Sequence, residues 1–146
     1  MGISQYLVPE HRECDTIFAR AESAAASGDF ALTKEEFLKF ADETLLHFKK
    51  EEEAFFPAFE EATGSTEGPT RVMKYEHDQV RGLLGKMAQA IESEDKDAYL
   101  SLTESLMILL QQHNMKEEQM LYAMADRLFA PNVQEELIEK MQKVAL

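Results

Sequence analysis

All four histidines of this chain fall into one repeat. His11 and His77 are 66 residues apart, and so are His47 and His113. Each member of the second pair is followed four residues later by a glutamate, Glu51 and Glu117, which keep the same offset. The pattern reads H…HxxxE…H…HxxxE. On a helix, residues i and i+4 share a face with Cβ atoms roughly 5–6 Å apart, so His47 with Glu51 and His113 with Glu117 point the same way. Six metal-ligand side chains repeated in a helical sequence imply a two-metal site inside a four-helix bundle.

The spacing of apolar residues and breakers supports this. Leu7, Cys14, Ile17, Phe18 and Ala21 recur at helical intervals, giving a first helix from Ser4 or Pro9 to Ala26. Thr33-Lys-Glu-Glu36 reads as a capping box, with the second helix secure from about 34, starting as early as Asp29 and running to Ala62. Pro57 is expected to kink its last turns. Thr63–Gly68 is a loop, Pro69 opens helix three, and that helix ends near Ser93. Helix four spans about Asp97–Phe129. Asn132-Val-Gln-Glu135 resembles a second capping box and opens a final helix, which could pack across the bundle or meet another molecule.

Short loops between long helices make neighbours antiparallel. The expectation is all-α: an up-down-up-down four-helix bundle with a short extra C-terminal helix. One domain over 1–146 would comprise helical hairpins 1–62 and 69–130 and a helix at 132–146. Counting residues tests the idea. His11 lies about 15 residues from the end of its helix, roughly 22 Å at 1.5 Å per residue, and His47 lies about as far into the returning helix. The other two histidines sit at matching heights, so all four reach one layer.

Composition limits the function. With 146 residues the chain can build a core without staples. Its one cysteine, Cys14, leaves no internal disulfide, which fits a reducing, cytoplasmic setting. The net charge of −13 argues against nucleic acid and anionic membrane surfaces as partners. The longest apolar run, Leu106–Leu110, is far too short to span a bilayer, and the N-terminal residues do not read as a signal peptide.

A carboxylate can bridge two cations. Two bridging glutamates and two histidines per ion would give each metal four protein ligands: His11, His47, Glu51, His77, His113 and Glu117 in all. An octahedral ion would keep one or two positions for water or a small exogenous ligand. Imidazole suits iron, zinc, copper and nickel, so ligand type does not name the metal. Structural zinc prefers closed, cysteine-rich sites. Glu43, one turn before His47, could accept the free ring N–H of a bound histidine or relay protons, or be a plain solvated glutamate. Glu10 and Glu76, each one residue before a histidine, could line an entrance or lie at the surface. Glu52 and Glu118 read as surface charges. Cys14, three residues after His11, reads as a small buried hydrophobe, with a thiol next to the metals as the alternative. Phe37, Phe40, Phe48, Phe55, Phe59 and Tyr122 read as core.

The segments Glu10-His11, His47-Phe-Lys-Lys-Glu51-Glu52 with Phe56-Pro57 downstream, Glu76-His77, and His113-Asn-Met-Lys-Glu117-Glu118 resemble the hemerythrin-like, HHE cation-binding domain over about residues 3–130. The resemblance implies two non-haem iron ions, bridged by carboxylate and by oxo or hydroxo, that meet NO, O2 or peroxide. Oxygen carriers of that family place a further histidine one turn before the third-helix ligand, and here that position is Met73. The symmetrical ligand pattern is closest to the di-iron domain of bacterial iron–sulfur cluster repair proteins, which implies nitrosative or oxidative stress chemistry, with a protein electron donor or an iron–sulfur client as partner. The cysteine motif those proteins carry is missing here. Met73 also leads to the expectation that the two irons are similarly accessible. A non-enzymatic oxygen or iron binding, storage or sensing module is the alternative function, and whether the chain is an enzyme stays open.

Overall fold

The computed structural model describes residues 1–146 and contains helices and no strands. Helix α1 spans Ile3–Ala26 and α2 spans Phe30–Lys50. A single π-helical turn, Glu51–Phe55, carries α2 into α3, Phe56–Thr63. The second half repeats this plan with α4, Pro69–Glu92, α5, Lys96–Lys116, a π turn at Glu117–Leu121, and α6, Tyr122–Leu128. Helix α7, Pro131–Gln142, closes the chain. Helix α1 touches α2 and α5, and α4 touches the same two, so the four long helices form a closed ring, the expected up-down-up-down bundle.

The two π turns share the 66-residue offset and begin at the two glutamates. Their cause is in the spacing of the inward residues. Glu51, Phe55 and Phe59 are buried below His47, and Glu117, Leu121 and Ala125 below His113. Steps of four rotate about 40° per step on an α-helix of 3.6 residues per turn, which would carry the later members off the core. One wider turn cancels that drift, and such bulges gather at functional sites. The expected break at Pro57 is therefore displaced. The irregular turn precedes the proline, and the second copy has Ala123 in its place, so proline is not the cause.

Two other local expectations are corrected. Thr33 does not cap α2. It is buried inside the helix, and its hydroxyl donates to the Asp29 carbonyl at 2.7 Å. Asp29 is the cap, accepting from the Leu32 N–H at 3.0 Å, and Asp95 caps α5 alike from Ala98 at 3.1 Å. Helix α7 starts at Pro131 without a side-chain cap, so the box at Asn132–Glu135 does not form. Proline's fixed φ suits the first helical position and needs no donor there.

Two apolar clusters fill the bundle. One end holds Ile17, Phe18, Phe37, Phe40, Phe48, Val80, Met87, Tyr99 and Leu106. The other holds Ile3, Leu7, Phe55, Phe56, Phe59, Met73, Leu121 and Tyr122, and is covered by Leu137, Ile138 and Met141 of α7. Helix α7 thus packs across the end of the bundle. Gln134 locks it there, accepting from the Ile3 N–H at 3.0 Å and donating to the Phe129 carbonyl at 2.9 Å. The buried histidines and glutamates form a polar layer between the clusters.

Candidate metal centre

Helices α1, α2, α4 and α5 each deliver one histidine to that layer, and the two π turns deliver Glu51 and Glu117. His11, His47, His77, His113, Glu51 and Glu117 are all at least 96% buried. The structure brings all six sequence-predicted residues together. Donor atoms of Glu51, His77, His113 and Glu117 lie within 4.8 Å of one another, as do those of His11, His47 and Glu117. His11 Nε2 is 3.1 Å from His47 Nε2 and 3.1 Å from Glu117 Oε1. Glu117 Oε1 is also 3.3 Å from His113 Nε2, while Glu51 Oε1 is 3.4 Å from His47 Nε2 and 3.2 Å from His77 Nε2. Each carboxylate therefore stands between one histidine pair and the other.

The outer ring nitrogens explain the inward ones. Every Nδ1 meets a carboxylate: His11 meets Glu118 at 2.7 Å, His47 meets Glu10 at 2.8 Å, His77 meets Glu52 at 2.6 Å and His113 meets Glu76 at 2.9 Å. Carboxylates accept, so Nδ1 carries the proton and the Nε2 lone pair of a neutral ring faces the centre. Each carboxylate is held in turn by a cation. Lys50 binds Glu10 at 2.6 Å, Lys116 binds Glu76, Arg12 binds Glu118 at 2.9 Å and Arg81 binds Glu52 at 2.8 Å. Such outer partners fix tautomer and ring orientation at metal sites.

These four carboxylates are where the reading of single helices failed. A residue adjacent to a ligand cannot share its face on one helix, but it can serve a histidine on the neighbouring helix. Glu10 on α1 serves His47 on α2, and Glu76 on α4 serves His113 on α5. Glu52 and Glu118 are not idle surface charges. Their signal was in the repeat, since Glu10/Glu76 and Glu52/Glu118 keep the offset of the histidines. Glu43 is exposed, and the His47 ring N–H goes to Glu10 instead. Cys14 is half-buried and lines a cavity of about 20 Å³ with His11, Thr44, His47, Phe48, Leu110 and Asn114. Burial pushes its thiol above the ordinary range. Met73 lies in the apolar cluster beyond the layer.

Sequence reasoning also missed Tyr122 as part of this layer. Its hydroxyl is 2.7 Å from Glu51 Oε2, 3.1 Å from Glu117 Oε1, 3.2 Å from His11 Nε2 and 3.3 Å from His47 Nε2. The one signal was a phenol in the repeat where the first copy has Phe56.

The electrostatics demand positive charge at the centre. Burial opposes ionisation of His113, yet the Glu117 and Glu51 carboxylates raise it to about 9. His47 and His77 are raised against burial in the same way, chiefly by Glu51. Burial and the neighbouring Glu117 charge raise Glu51, whereas Glu117, despite burial, is held well down by its Glu51 neighbour and the charge of His113. Several inward atoms, Glu51 Oε1, His77 Nε2, His113 Nε2 and Glu117 Oε2, are buried and make no hydrogen bond. Unpaired buried acceptors are costly, at about 1–3 kcal/mol each. A convergent set of such atoms, N and O donors at cis-ligand separations, fits cations.

The chain matches the family description Hemerythrin HHE cation binding domain over residues 2–125. It belongs to that family. Comparison with curated proteins and with solved structures gave no significant match. As a hemerythrin-like cation-binding domain, the chain has its matched span ending within α6, so α7 lies outside it. No helix is long and apolar enough to cross a membrane.

Proposed function

We propose that this hemerythrin-like domain holds two iron ions and uses them to bind or transform NO, O2 or peroxide. In this reading His11 and His47 would hold one ion, His77 and His113 the other, and Glu51 and Glu117 would serve both. The observation that carries it is the orientation of the four rings. Each Nδ1–H is spent on a carboxylate, and each Nε2 lies 3.1–3.4 Å from Glu51 or Glu117. A merely structural zinc would be expected in a closed tetrahedral, cysteine-rich set. This set has no cysteine and mixes imidazole with carboxylate, which iron accepts among other metals; the likeness to hemerythrin-like domains is what selects iron.

When bound, paired irons supply electrons and open coordination positions for small oxidants. The surrounding residues govern who reaches them. Phe48 stacks on His77 with centroids 3.8 Å apart, and Phe56 lies 5.6 Å from the same ring. The cavity beside His11 and His47 has room for one water-sized molecule, since such a molecule needs roughly 10–15 Å³ and the space is about 20 Å³. That size favours diatomic ligands and peroxide over larger substrates. The bridging residues stay buried while the outer Lys and Arg partners reach solvent, so proton exchange would pass through the Nδ1–carboxylate pairs. Roles in stress response or cluster repair rest on this reading.

The test is spectroscopic. Protein purified without oxygen and loaded with ferrous iron is mixed with O2 or with NO and followed by stopped-flow absorption. The expected result is fast oxidation by O2 with no persistent, reversible adduct, and ready binding of NO. A long-lived reversible oxygen complex would instead make the domain an oxygen carrier. No response to either gas would remove the proposal.

A further inference from the structure

The two halves of the centre are not equivalent. On the α4/α5 side, four donors from Glu51, His77, His113 and Glu117 crowd together. On the α1/α2 side only three such donors, from His11, His47 and Glu117, do so. The Tyr122 oxygen joins that set. It lies 3.2 Å from His11 Nε2, 3.3 Å from His47 Nε2 and 3.1 Å from Glu117 Oε1. The remaining separations in this set are 3.1 Å for His11 to His47, 3.1 Å for His11 to Glu117 and 3.9 Å for His47 to Glu117. Two donors about 2.1 Å from one ion and at right angles stand about 3 Å apart. The four atoms are therefore spaced as ligands of a single ion.

The repeat supplies an internal control. Phe56 occupies the place of Tyr122 in the first half. The Phe56 ring stacks on His77 at 5.6 Å and 21°, and the Tyr122 ring stacks on His11 at 5.7 Å and 26°. The rings hold matching positions, and the hydroxyl is the difference. A phenyl suffices to pack both places. The extra oxygen is fully buried, against the same histidines and carboxylates that hold the cation, rather than directed to a backbone group or solvent.

We propose that Tyr122 is a seventh metal ligand, binding the ion held by His11 and His47 through its phenolate oxygen. The inference rests on the dinuclear reading above and deepens it. On coordination the phenol O–H bond breaks as the oxygen–metal bond forms. The proton leaves for solvent, passing first to Glu51 Oε2 at 2.7 Å before that carboxylate is itself taken up by metal. The ion on this side then carries a hard anionic ligand that its partner lacks, which favours its ferric state. The sequence-based expectation of two similar irons gives way to an inequivalent pair.

The test is resonance Raman and visible absorption of the iron-loaded protein after oxidation with ferricyanide, with iron content measured on the same samples. Ring-deuterated tyrosine, incorporated during expression, identifies tyrosinate modes by their isotope shift. The wild-type protein is expected to show a tyrosinate-to-iron charge-transfer band with deuterium-sensitive modes. Tyr122→Phe should lose both while keeping two irons. Phe56→Tyr should intensify the band by adding the matching phenol. If Tyr122→Phe fails to fold, the wild-type isotope shift and the Phe56→Tyr gain still decide the matter. Two irons per chain without deuterium-sensitive modes would overturn the role of Tyr122 and leave the dinuclear reading standing. Fewer than two irons in the wild-type protein would overturn both.

Discussion

Each imidazole of this centre spends both of its nitrogens, one on a carboxylate at the rim and one on the interior. That division makes the rim carboxylates more than decoration. Glu52 holds His77 Nδ1 at 2.6 Å and is itself held by Arg81. Glu52→Gln keeps the shape but replaces a charged acceptor with a neutral one that can present its amide N–H₂ to the ring. Metal affinity should fall about 10–100-fold, the usual cost of losing such a partner, with the number of ions per chain unchanged. Isothermal titration of metal-free protein measures this, and wild-type affinity in the variant would show that Glu52 does not orient His77. At this scale the six central residues were legible because a helix turns a fixed spacing into a shared face. The rim carboxylates were not, because each acts on a histidine of a neighbouring helix, and register between helices is invisible in one helix's periodicity. Same-helix spacing left Glu43 open between a partner of His47 and a solvated glutamate, and it lies at the surface. Tyr122 was hidden by being aromatic on an apolar face, where packing alone accounts for it.

The repeat extends to the elements. The α1–α2 and α4–α5 connections have the same backbone, with Gly28 at φ 82° and Glu94 at φ 50°. Asp29 and Asp95 follow as caps. A left-handed conformation costs a residue with a Cβ roughly 1–2 kcal/mol, partly offset by the extra unfolded-state freedom of glycine. Glu94→Gly should therefore stabilise the protein by about 0.5–1 kcal/mol, raising the melting temperature by roughly 2–4 °C. Calorimetry of the metal-free form checks it, and an unchanged or lower melting temperature would mean that Glu94 is not strained. Helix positions were readable to within a few residues from apolar spacing and breakers. The π turns were not, although their cause was written in the four-residue steps His47, Glu51, Phe55, Phe59 and His113, Glu117, Leu121, Ala125. Local capping logic chose Thr33, whereas the chain is capped by Asp29, where the preceding helix has already ended.

At the scale of the molecule, protons and metal compete for one buried layer. His113 is raised to about 9 when folded, above an unfolded value near 6.5. Such a group stabilises the fold fully below the unfolded value, and that stability is lost as pH rises through the folded one. His47, His77 and Glu51 are raised and act in the same sense. Glu10, Glu52, Glu117 and Glu118 are lowered from 4.5 and contribute stability above that value, lost as pH falls through their folded values. Metal-free protein should thus lose melting temperature between about pH 6.5 and 9. Metal needs unprotonated rings, so the metal-loaded protein should not share the loss, and the gap between the two forms should widen with pH. Proton competition therefore begins well above the pH near 6 at which free histidine alone would set metal release. A gap independent of pH from 6.5 to 9 would contradict histidine ligation.

The bundle itself follows from elementary counting: four helices with short turns, histidines at one height, and apolar clusters on either side of a polar layer. The proposed chemistry needs two ions in this layer. The direct measurement is an anaerobic titration of metal-free protein with ferrous iron, followed by elemental analysis after removal of excess metal. Saturation is expected at two irons per chain, falling to one or none in Glu117→Ala, because that carboxylate reaches both histidine pairs. Saturation of the wild-type protein at a single ion would contradict that chemistry.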